Sequence, residues 1–91
     1  MEISENESWD LLNPVCRELS DLVNSKNLIF ERGEYNDKTM LYSIYLKSNH
    51  FHFASRGLRD SINDIEYNDN MIRIGLRSKG NPINLFIYLK K

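Results

Sequence analysis

Met71-Ile72-Arg73-Ile74-Gly75-Leu76-Arg77-Ser78-Lys79-Gly80-Asn81-Pro82-Ile83-Asn84-Leu85-Phe86-Ile87-Tyr88-Leu89 reads as two strands joined by a turn. Ile72, Ile74 and Leu76 alternate with Arg73, Gly75 and Arg77, and Ile83, Leu85, Ile87 and Leu89 alternate with Asn84, Phe86, Tyr88 and Lys90. A period of two places one set on each face of a pleated strand. Ser78 to Pro82 are residues that accept turn geometry, and so short a connection favours an antiparallel hairpin.

The same period extends upstream. Met40, Tyr42, Ile44 and Leu46 alternate with Leu41, Ser43, Tyr45 and Lys47, and Phe51 and Phe53 alternate with His52 and Ala54. Ser48-Asn49 and Asn68-Asp69-Asn70 separate the runs. Leu28 to Arg32 makes a first strand, ended by Gly33. In residues 56–66, Leu58, Ile62 and Ile65 fit a helical turn, whereas Ile65-Glu66-Tyr67 pairs well with Met71-Ile72-Arg73. A strand is expected only at the C-terminal end of that segment.

Before residue 27 the period is different. Trp9, Leu12, Cys16, Leu19 and Val23 recur at steps of three and four, with Leu22 beside them, as on an amphipathic helix. Asn13 is a good N-cap and Pro14 suits a first helical position. Either a short turn over Ser8 to Leu12 precedes a helix from Pro14 to about Ser25, or one helix is kinked there. The fold class expected is α+β: an N-terminal helix packed on one face of a five- to six-stranded antiparallel meander sheet, residues 1–91 forming a single domain.

Composition narrows the function classes. The chain has 91 residues, is 41% hydrophobic and includes ten aromatic residues, enough for one core but not for a deep cavity within it. One cysteine permits no intrachain disulfide, no signal peptide is evident at Met1 to Glu5, and no apolar run approaches bilayer length. A cytoplasmic location and no membrane role are expected. Residues 1–40 carry nine acids against four bases and residues 41–91 carry eight bases against four acids, so the net charge of -1 conceals a polarised chain.

If Tyr42, Ile44, Phe51, Phe53, Ile72, Ile74, Leu85 and Ile87 pack inward, then Tyr45, Lys47, His50, His52, Arg73, Arg77, Phe86, Tyr88 and Lys90 face outward. Three large rings among cations suit a protein partner through aromatic and arginine anchors, or single-stranded nucleic acid through stacking and phosphate pairing. The alternative is a minor second core under a loop or a dimer partner.

The other candidates are weaker. His50 and His52 share one side of an extended segment and can serve as an acid and base pair, with Arg56, Arg73 or Arg77 as cationic partner, but two imidazoles fall short of a zinc site. Cys16 lies in the helical stripe and reads as core. Trp9 closes the core or anchors a partner. Glu2, Glu5, Glu7 and Asp10 suit a helix N-terminus. Ser78 to Pro82 lacks the glycines and the following helix of a phosphate loop. No cofactor, metal ligand set or catalytic constellation is expected.

Three functions follow. The first is a small protein-binding module, of inhibitor or immunity type, using Tyr45, Lys47, His52, Arg73, Arg77, Phe86 and Tyr88. The second is a nucleic-acid-binding domain on the same face, against which the net negative charge counts. The third is a small RNase-like hydrolase centred on His50 and His52. A homodimer through an exposed C-terminal edge strand, Ile83 to Leu89, is a further expectation.

Overall fold

A computed structural model describes residues 1–24, 27–54 and 60–90. Its elements are β1 (Glu2–Ile3), α1 (Glu5–Leu12), a 3-10 turn (Asn13–Val15), α2 (Cys16–Leu22), β2 (Ile29–Asn36), β3 (Leu41–Ser48), β4 (Ile62–Tyr67), β5 (Met71–Ser78) and β6 (Asn81–Leu89). The strands form one sheet in the order β1-β2-β3-β6-β5-β4. The fold is α+β.

The sheet is mixed, which corrects the expected antiparallel meander. β6 lies between β3 and β5, antiparallel to β5 but parallel to β3, with Ile44 opposite Leu85 and Leu46 opposite Ile87. The chain leaves β3, crosses to the far edge, makes the β4–β5 hairpin and returns with β6 into the gap. β6 is therefore an interior strand paired along both sides, so it offers no edge to a second copy; the open edges belong to β1 with β2, and to β4. Burial explains the placement: Ile83, Leu85 and Ile87 are all at most 2% exposed, and an edge strand would leave them half wet.

The helical expectation holds in outline. Ser4 caps α1, its Oγ accepting from the Glu7 N–H at 3.1 Å, and Glu5 and Glu7 place negative charge in the first turn. Pro14 sits in the 3-10 turn that separates the two helices. Leu12, Val15, Leu22 and Val23 are buried while Cys16 is exposed. The reading of Cys16 as core is thus corrected. Ser25, where the second helix was expected to end, lies outside the described residues, as do Arg56 and Leu58.

β2 runs through Gly33 instead of stopping there. A Cβ at that position would lie 2.6 Å from Ser8 Oγ and 2.7 Å from Ile3 Cγ1, so glycine lets α1 and β1 close onto the strand. Residues 49–54 leave the sheet; Phe53 makes only an isolated antiparallel bridge with Val23. Phe51 and Phe53 still pack against the core. Phe53 stacks on Tyr67 at 4.9 Å. The expected turns form at residues 68–70 and at Lys79-Gly80, both of the latter at positive φ (52° and 78°) as a two-residue hairpin turn requires. One apolar cluster joins the helices to β3, β4, β5 and β6. Among the described residues no helix is long and apolar enough to cross a membrane.

Candidate functional site: the helix-free face of the sheet

Alternation puts one residue of each long strand into a row across the outer face. Register makes that row Arg32, Tyr45, Phe86, Arg73 and Glu66, on β2, β3, β6, β5 and β4 in turn. The neighbouring row is Glu34, Ser43, Asn84, Gly75 and Asp64, and on the other side Lys47 stands beside Tyr88.

The rings stack. Tyr45 and Phe86 lie 4.7 Å apart at an interplanar angle of 7°, and Tyr45 and Tyr88 lie 6.5 Å apart at 11°. Arg32 places its guanidinium 4.2 Å from the Tyr45 ring centroid, within cation–π range. All three rings are half-buried, although among the described residues no helix packs on this face. Cross-strand aromatic neighbours on one face shield each other from water, which accounts for the burial.

Four cations on this face have partners within the chain. Arg73 donates through Nη2 to Asp64 Oδ2 at 2.6 Å and Glu66 Oε1 at 2.9 Å, and through Nη1 to Asn84 Oδ1 at 3.1 Å. The hydrogen bond to Asp64 is the main reason its pKa is raised, opposed by desolvation and assisted by Glu66. Gly75 makes room for this network, since a Cβ there would fall on Asp64 Oδ1. Arg32 pairs with Glu34 at 3.1 Å and Lys47 with Glu31 at 3.7 Å, while Arg77 donates to the Gly80 carbonyl at 3.1 Å. Arg32, Lys47 and Arg73 are thus set against Glu31, Glu34, Asp64 and Glu66, whereas Arg77 meets a carbonyl.

Of the residues expected to bind a partner, Tyr45, Lys47, Arg73, Phe86 and Tyr88 come together, and Arg77 lies at the β5 end of the same face. His52 does not join them. Its carbonyl accepts from the Asn24 N–H, so it lies beside the end of α2 and outside the sheet. His50 and His52 are exposed, with ring centroids 4.6 Å apart in an edge-on arrangement. Arg73 is committed to carboxylates, and Arg56 lies outside the described residues. Among the described residues no group of three or more His, Cys, Asp and Glu could hold a metal ion.

Arg32, Asp64 and Glu66 are the site members that alternation missed, and Asn84 shared the alternation of Phe86 and Tyr88 without being singled out. A signal for Glu66 existed: the hairpin centred on residues 68–70 sets it opposite Arg73. Arg32 carried none, because the expected strand ended at the next residue. Compared with known proteins, the chain matches no family profile, no curated protein and no solved structure.

Proposed function

We propose that this chain is a protein-binding module that occupies and blocks one partner protein, in the manner of an inhibitor or immunity protein, through the helix-free face of its sheet. The observation that carries this reading is the stack of Tyr45, Phe86 and Tyr88 at the centre of a face whose Arg32, Lys47 and Arg73 are already paired with carboxylates. Aromatic anchors inside a rim of satisfied polar groups are the composition of a protein-interaction hot spot. Phosphate binding would instead demand free cations, and Arg73 would have to give up two carboxylates to supply one.

The test is affinity capture from a lysate of the organism that carries the gene, with and without nuclease, using the wild type and the Tyr45→Ala/Phe86→Ala/Tyr88→Ala variant. The variant's fold is checked by circular dichroism. The expected result is one protein bound at 1:1 stoichiometry, insensitive to nuclease, with affinity reduced at least about thirtyfold by the variant, the scale of about 2 kcal/mol for a hot spot. Equal capture by the variant, or recovery of nuclease-sensitive nucleic acid alone, overturns the reading.

A further inference from the structure

The helix side of the molecule holds a pocket of about 140 Å³, separate from the outer face. Trp9, Leu12 and Leu19 line it from the helices, Leu28 from the segment before β2, and Leu46 and Leu85 from the sheet. Its volume resembles the roughly 150 Å³ of an apolar cavity that accepts benzene, which is the size of one large apolar side chain. It reaches the surface: Leu28 is 38% exposed, and Cys16, which also lines it, is exposed.

Charge indicates what fills it. Helices α1 and α2, whose residues line the pocket, carry Glu5, Glu7, Asp10 and Glu18 against Arg17. One of these charges is fixed at the pocket wall, because Trp9 Nε1 donates to Glu5 Oε2 at 3.1 Å. An anionic ligand would be repelled here, and a neutral one would gain nothing from the surround.

We infer that this pocket receives a single leucine- or phenylalanine-sized side chain from a lysine- and arginine-rich segment of a partner protein. Apolar insertion beside Trp9 provides the anchor, and the acidic helices steer and orient the basic flanks. The surface is independent of the aromatic stack on the opposite face.

Trp9 is the chain's only tryptophan, so its fluorescence reports directly on the pocket. The probe is a capped pentapeptide with one phenylalanine between two pairs of lysines, titrated into the full chain at low salt. Saturable change in Trp9 emission is expected, with at least tenfold weaker binding when the phenylalanine is replaced by alanine or the lysines by glutamates. Cys16→Phe, which fills the pocket from an exposed position, should weaken binding at least tenfold, and alkylating Cys16 of the folded wild type with N-ethylmaleimide should do the same. The Tyr45→Ala/Phe86→Ala/Tyr88→Ala variant should bind the peptide unchanged. Absence of a saturable change overturns the inference. So does equal binding of the alanine peptide, which leaves only charge, or of the glutamate peptide, which leaves only an apolar small-molecule site.

Discussion

The two faces of the sheet are built from the same strands and held by different physics. On the inner face, Ile44, Leu46, Ile72, Ile74, Leu76, Leu85 and Ile87 lie under the helices and residues 49–54, at most 2% exposed, and contribute through burial. On the outer face, the residues between them form stacked rings and ion pairs that remain in contact with water. Burial is non-directional and is weakened by any loss of volume, whereas stacking and pairing depend on register and tolerate solvent. Stability should therefore reside on the inner face, and the binding proposed for the aromatic stack should be separable from it.

Leu85→Ala should break the inner face first. It removes a fully buried side chain between two paired strands and should cost about 2–5 kcal/mol, read as a fall in the urea midpoint with an unchanged slope. Gly33→Ala comes next, at about 1–3 kcal/mol, because its methyl group would drive Ser8 and Ile3 away from β2. A cost below about 0.5 kcal/mol would mean that α1 docks loosely. On the outer face, Tyr88→Ala should cost about 1 kcal/mol or less of stability while removing partner binding, and this split is the sharpest test of the division between faces.

The pair between Arg73 and Asp64 is a smaller effect. Asp64 and Glu66 are more than half exposed, so a double-mutant cycle between Arg73→Ala and Asp64→Ala should return a coupling of about 0.5–1 kcal/mol that falls as salt is added. Smallest of all, Cys16→Ser should shift stability by no more than about 0.5 kcal/mol, and the native thiol should react with Ellman's reagent without unfolding. A buried-thiol rate would restore Cys16 to the core.

Faces were legible in the sequence because alternation is local. Ile72, Ile74, Leu85 and Ile87 point inward and Arg73, Phe86 and Tyr88 outward, as the period of two requires. Neighbours were not, because alternation carries no information about which strand lies beside which. Nothing in Ile83 to Leu89 says that β3 lies along its other side. Gly33 looked like a terminator because its role is to admit Ser8 and Ile3, which approach from distant parts of the chain. Cys16 fitted the stripe by spacing, and it does lie beside Trp9, Leu12 and Leu19, but at a recess that opens to the surface and leaves it exposed. The aromatic stack was visible as a set of residues. The carboxylates that neutralise its surroundings became visible only through register.

The parallel pairing of β3 with β6 sets an order of events at the ribosome. Until residues 81–89 have emerged, a nascent chain can assemble β1, β2, β3 and the helices as one piece and β4 with β5 as another, with no strand to join them. Each piece then exposes an apolar strand edge, on β3 and on β5, that the last hairpin arm must reach before another chain does. Closing that gap depends on contacts across roughly forty residues of chain, so folding should be slow for a domain of this size, and prematurely terminated chains should go to aggregation or proteolysis instead of a smaller working protein.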